Sequence, residues 1–212
     1  MAVITPGYSP KRRGIENKKR RPVIIVNAEG NNKTETNYLK KFASNRKFTL
    51  FFSSDHSTDP LTMVKNIFKD QKEIGFDPSF GDRAFCLIDS DFDAGKNKKI
   101  KEAENYSSKK NIDLIVSGPC FEIWFICHFI YSTKQYKSAA DVVLELQKYI
   151  PKYAKNSDQM FDLLSEKVDF AVDNAKKLEA ELIKDGKNIH SVEFMPSTEV
   201  YRIVEYIRQL CP

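Results

Sequence analysis

The sequence predicts an α/β fold: a mostly parallel four-stranded sheet flanked by helices, running on into a helical C-terminal half. Three observations lead there. Short apolar runs alternate with helical patterns over the first half of the chain. Two of those runs end in acids. From Phe121 onward only helical periodicity remains.

The elements follow in order. Val23-Ile24-Ile25-Val26 is short and β-branched, which reads as a strand buried on both faces. It delivers Glu29-Gly30 to its carboxyl end, where open α/β sheets place their ligands. Thr34 to Lys47 reads as a helix with Tyr38, Leu39, Phe42 and Ala43 on one face, and Phe48 to Ser53 as the second strand. Asp59-Pro60 is a cap-then-proline start signal for a helix carrying Leu61, Val64, Phe68 and Ile74. Ala84 to Ile88 is the third strand. A polar helix from about Asn97 to Lys109 leads to the fourth, Ile112 to Val116, which ends in Ser117-Gly118-Pro119. In the helical half, Asp158 to about Lys184 carries a narrow apolar seam, read as a single helix stopped by Gly186. Pro196-Ser197-Thr198 then opens a last helix, with Val200, Ile203, Val204 and Ile207 facing inward. With no repeat or linker in view, residues 22–212 are expected to form one domain, its C-terminal helices starting near 120.

The acids carry the chemistry. "RAFCLIDSDFD" ends its strand in Asp89, Asp91 and Asp93, and an extended chain would project Asp89 and Asp91 to the same side. Carboxylates held that close repel each other, and a hard divalent cation such as Mg²⁺ relieves the repulsion through oxygen ligation. A surface turn would equally explain Glu29 alone, and a loop or helix N-cap would explain a lone Asp-x-Asp. Two separate strands ending in acids are more specific than either.

Composition sets the outer bounds. The chain has 212 residues, 41% of them hydrophobic, enough for one sizeable core. Its most apolar segment, Cys120 to Tyr131, contains Glu122 and is too short to span a bilayer. No secretory signal is visible, and Cys86, Cys120, Cys127 and Cys211 show no paired spacing, so a reducing cytoplasm is expected. Lys11, Arg12, Arg13, Lys18, Lys19, Arg20 and Arg21 stand against a single acid, Glu16, so the net charge of +5 resides entirely in the segment 1–21. That segment is expected to be a disordered tail, able to touch nucleic-acid phosphates without reading sequence or to serve as a solubilising leader. Around Lys33-Thr34 the glycine positions of a phosphate-binding P-loop are filled by Asn27 and Asn32, which excludes that motif. Cys120, Cys127 and His128 share a helix but lack the close pairs of a zinc site and read as core. His56 and His190 lie in loops with no metal-binding partners nearby in sequence.

Four blocks, "VIIVNAEGNNKTETNYL", "FCLIDSDFD", "IVSGPCFEIWFICHF" and "MPSTEVYRIVEYI", resemble in order those of the RloB family, prokaryotic proteins often encoded beside an ATPase in restriction and abortive-infection loci. The matched residues are Glu29-Gly30, Lys33-Thr34-Glu35, Asp89, Asp91 and the run Pro119 to Trp124, and the resemblance covers nearly everything after the tail. Gly118 departs from it, standing where asparagine is expected. The resemblance implies a Toprim-like fold, the α/β domain of topoisomerases, primases and some nucleases. By that implication Asp89 and Asp91, with Asp93, bind Mg²⁺ or Mn²⁺. Glu29 is a further ligand or the general acid/base, Glu122 completes a second metal position or caps its own helix, and Lys33 contacts a phosphate or is an exposed turn lysine. The leading expectation is a metal-dependent nuclease, or related phosphoryl-transfer enzyme, of antiphage defence, working on DNA or RNA with a separately encoded ATPase. An oligomer is compatible with it. The rival is a non-catalytic Toprim-like adaptor that docks an ATPase or nucleic acid.

Overall fold

The computed structural model describes residues 20–30, 33–45, 47–54 and 56–211. Its elements are β1 (Val23–Ala28), α1 (Thr34–Lys40), β2 (Thr49–Phe52), α2 (Pro60–Ile74), β3 (Arg83–Asp89), α3 (Ala94–Ser107), β4 (Asp113–Gly118), α4 (Glu122–Cys127), α5 (Ala139–Leu146), α6 (Met160–Leu164), α7 (Val168–Lys184), β5 (Ser197–Thr198) and α8 (Val200–Leu210). The strand order is β2-β1-β3-β4-β5, with the first four parallel and β5 antiparallel to β4.

Strand identity follows from burial on both faces. Along β1, Ile24, Val26 and Ala28 enter one core layer and Ile25 the other; along β3, Phe85 and Leu87 alternate with Ala84, Cys86 and Ile88. The period of two therefore serves two layers at once. One layer lies under α2 and α3. The larger one packs α1, α4, α7 and α8 around Trp124, whose side chain is fully buried. Burying a side chain of that size contributes several kcal/mol, and Trp124→Ala would cost about 3–5 kcal/mol.

Several expectations change. The sheet has five strands rather than four, because Ser197–Thr198, read as a helix start, pairs with Ser117 and Gly118. Two residues are too few for a sequence period to register. The first helix stops at Lys40 and tightens into a 3₁₀ turn, Lys41–Asn45. The long seam after Asp158 is broken by a 3₁₀ turn at Ser165–Lys167 into α6 and α7. Helix α2 starts as read: Asp59 accepts from the Thr62 N–H, with Pro60 at the first position.

Gly118 has a steric reason. A Cβ there would lie 2.9 Å from the Phe194 carbonyl oxygen and 3.1 Å from Met195, so asparagine would not fit without moving backbone.

Arg20 is the described residue at the start of the chain that is tied to the fold. Its guanidinium pairs with buried Asp82 at 2.6 Å, so this tail residue is not a loose cation. Lys11, Arg12, Arg13, Lys18 and Lys19 lie outside the described residues.

Candidate active site

Glu29 and Asp89 come to one edge because β1 and β3 are parallel neighbours in register, Ala28 beside Leu87. The chain turns immediately after Glu29: Gly30 sits at φ +65 and donates its N–H to the Ser57 carbonyl at 3.0 Å. Across the edge, the Asp89 N–H donates to Glu29 Oε2 at 3.2 Å. Asp89 is an odd-numbered strand residue like Phe85 and Leu87, so it faces the larger layer, toward α1 and α4.

Asp91 does not share that direction. The strand ends at Asp89, and Asp91 adopts φ +53 with its N–H on the Pro119 carbonyl. The extended geometry expected for Asp-x-Asp is therefore replaced by a left-handed turn. That turn swings Asp91 over to Lys96 Nζ, 2.7 Å away. The same ammonium donates to both Glu29 oxygens at 2.8 and 2.9 Å, and Lys96 is only 8% exposed. Asp93 is occupied differently from its expected place near a metal: it caps α3 by accepting from the Gly95 N–H.

Two further acids close on Asp89 from the helical side. Glu35, in the first turn of α1, is 5% exposed, and its Oε2 is buried without a hydrogen-bond partner among the described residues. Glu122 opens α4, is 2% exposed, and accepts from the Tyr153 hydroxyl at 2.9 Å. Lys155 stands 3.6 Å from the same Glu122 oxygen. Glu122 is thus a buried acid in the first turn of α4, which has no side-chain capping bond at its start.

The electrostatics follow from that crowding. Asp89 is pushed well above the usual carboxylate range by burial, then by the charges of Glu35, Glu122, Glu29 and Asp91. Burial raises Glu35 to about 7, with Glu122 and Glu29 adding to it. Glu29 is raised by burial, an effect that its Lys96 partner offsets only in part. Burial opposes the Lys96 charge, but its hydrogen bonds to Asp91 and Glu29 outweigh that and hold the ammonium above its ordinary value. The Cys120 thiol beside this centre is also raised, by burial and then by Glu122 and Asp89.

Among the described residues no three His, Cys, Asp or Glu side chains stand together as a metal-holding group. The donor chemistry nevertheless suits a hard cation. Every anionic group is a carboxylate, and Glu35 Oε2 is a buried oxygen lacking a partner. Lys96 fills the cation's role between Glu29 and Asp91. Lys33 is exposed at the start of α1, and its backbone N–H, donating to Asn156 Oδ1, is what the structure ties down. Cys127 and His128 belong to the core, with His128 between the Trp124 carbonyl and the Tyr38 hydroxyl.

Sequence reasoning missed Glu35, Lys96, Tyr153 and Lys155 as members of this centre. Glu35 shares a helix face with buried Tyr38 and Leu39, and Lys96 shares one with buried Ile100 and Ala103. A charged residue on an apolar stripe was the available signal. For Lys155 there was none, because a loop in the other half of the chain brings it in.

A family model described as RloB-like protein matches residues 24–207. The chain belongs to the RloB-like family. No curated protein and no solved structure matches it.

Proposed function

We propose that this RloB-like protein is a Toprim-like, metal-dependent phosphoryl-transfer enzyme that cleaves nucleic acid in antiphage defence, together with a separately encoded ATPase. The observation that supports it is the convergence of Glu29, Asp89, Glu35 and Glu122 from β1, β3, α1 and α4 at the carboxyl edge of a parallel sheet. A fold gains no stability from carboxylates packed so closely that their charges push Asp89 and Glu35 above the ordinary range. Such a set is worth keeping only if something positive is bound there.

Glu29, Asp89 and Asp91 would hold Mg²⁺ or Mn²⁺, with Glu35 and Glu122 behind them. When bound, the cation supplies neutralisation of the charge that builds on the transferring phosphoryl group. The chain's own residues do the remainder. The Asp89 N–H fixes the Glu29 carboxylate, leaving it placed to take or return a proton beside the scissile phosphate. Lys96 carries fixed positive charge to the same point. Buried Tyr153 holds Glu122 at the floor.

The adaptor reading keeps one specific observation in its favour. Lys96 already neutralises Glu29 and Asp91, which is how a purely structural cluster would be built. Cleavage of labelled DNA and RNA with Mg²⁺ or Mn²⁺, with and without the neighbouring ATPase, separates the two. Cleavage lost with chelator supports the enzyme. Binding without cleavage under every condition leaves the adaptor.

A further inference from the structure

The loop between α5 and α6 reaches back to the acid edge and is fastened there at two points. Asn156, in the left-handed region at φ +66, accepts the Lys33 N–H on Oδ1 at 2.8 Å and the Asn37 side-chain amide on its carbonyl at 2.8 Å. Its own N–H donates to Thr34 Oγ1 at 3.0 Å. Three residues earlier, Tyr153 is 4% exposed and bonds Glu122. Lys155 lies between these two fastenings, so its backbone position is set by buried and hydrogen-bonded neighbours.

Its charge is only loosely engaged. The 3.6 Å separation from Glu122 Oε1 exceeds a hydrogen bond, since Tyr153 already donates to that oxygen. Lys155 makes no hydrogen bond among the described residues, and its side chain is 47% exposed. Lys96 is the opposite case: buried, with its donors committed to Glu29 and Asp91.

We propose that Lys155 is the anion-binding residue of this site, holding a non-bridging oxygen of a nucleic-acid phosphodiester at the mouth of the acid centre. The inference rests on the phosphoryl-transfer reading. A polyanion approaching clustered carboxylates needs a cation beside them that is open to solvent, and Lys155 offers an ammonium with no hydrogen bond among the described residues on an anchored backbone. Its contact is with the backbone phosphate, so it should carry no sequence preference.

The test uses the full chain and a fluorescent 30-nucleotide single strand, alone and as a duplex, with binding followed by anisotropy across a salt series in chelator. Lys155→Ala should weaken binding about five- to tenfold near 100 mM salt and reduce the slope of log K against log salt by about one. Lys155→Arg should restore both, and melting of either variant should match wild type. A merely structural lysine would move the melting point and leave the slope alone. Equal affinity and slope for wild type and Lys155→Ala overturns the Lys155 assignment. If wild type still cleaves in Mg²⁺, the enzyme reading survives that failure. A wild type that neither binds nor cleaves overturns both.

Discussion

Two polar clusters lie beneath the surface, joined by α3. Lys96, in the first turn of that helix, belongs to the acid edge. Glu104, eight residues on and about 12 Å along the axis, belongs to a cluster around His190. There the signs alternate. His190 Nδ1 meets Glu104 Oε1 at 2.5 Å and Nε2 meets Glu199 Oε2 at 2.8 Å. Lys101 flanks Glu104 at 2.9 Å, and Arg202 flanks Glu199 at 2.8 Å. Glu199 Oε2 also accepts the Val116 N–H at 2.9 Å, clipping the segment before α8 onto β4. At the acid edge five carboxylates share two ammoniums, and one buried oxygen has no partner. Both clusters are buried and charged. Glu199 Oε1 also lacks a hydrogen bond but has the Arg202 guanidinium 2.8 Å away, whereas among the described residues Glu35 Oε2 has no cation at ion-pair distance. Satisfied charge is what a fold uses to hold elements together; surplus charge of one sign marks where something else is to bind.

The widest separation between the clusters should come from removing one carboxylate in each. Asp89→Asn should lower metal-dependent cleavage at least about 100-fold while apo stability is kept or raised, because a repelled charge disappears. Glu199→Ala should do the reverse. It strands the Val116 N–H and leaves Arg202 with Glu179 alone and His190 with Glu104 alone, and should cost about 3 kcal/mol in urea unfolding. An Asp89→Asn protein as destabilised as Glu199→Ala, with stability blind to Mg²⁺, would sink the enzyme reading.

How much of this was legible in the sequence differs between the two clusters. Glu29 and Asp89 could be read because each ends its own buried strand, a local pattern that parallel pairing carries intact into space. Asp91 lies beside Glu29 through the shared Lys96, but not in the extended geometry expected, since a left-handed residue interrupts the chain that alternation assumes. Lys155 reaches the site through tertiary folding alone, and residue spacing holds no trace of it. The His190 cluster was invisible for the same reason. His190 read as a partnerless loop histidine, yet Glu104 lies 86 residues away and Glu199 nine, on different elements. The core strands were plain from burial periodicity. The two-residue β5 and the 3₁₀ interruptions fall below the length at which a period can be seen.

A smaller effect sharpens the contrast through pH. Glu35 rises from 4.5 in the unfolded chain to about 7 in the fold, so the folded state holds the extra proton. Its contribution to stability is therefore fully present at low pH and falls as pH rises from 4.5 through 7. Without metal, Glu35→Gln should gain about 3 kcal/mol at pH 8 and nothing at pH 4. Adding Mg²⁺ at pH 8 should stabilise wild type more than the variant. Superimposable pH profiles for the two proteins would mean that Glu35 does not bear the repulsion assigned to it.

The smallest expected effect tests the satisfied cluster in the next pH window. Burial opposes the charge on His190, but Glu199 and Glu104 outweigh it, so the folded value lies above 6.5. The groups facing the ring are those two carboxylates, with Lys101 and Arg202 behind them. A raised histidine stabilises the fold fully below pH 6.5, and the contribution is lost as pH climbs through the folded value. His190→Gln should therefore cost about 1 kcal/mol in urea unfolding at pH 6, with the gap from wild type narrowing by pH 9. Wild type should lose stability twice on alkalisation, first through the repelled acids and then through the released imidazolium. The two variants should each remove one of those steps and leave the other. A gap for His190→Gln that widens with pH instead would mean the ring is neutral in the fold. The alternating charges around it would then be a description of distances and not of what holds α3 to β4.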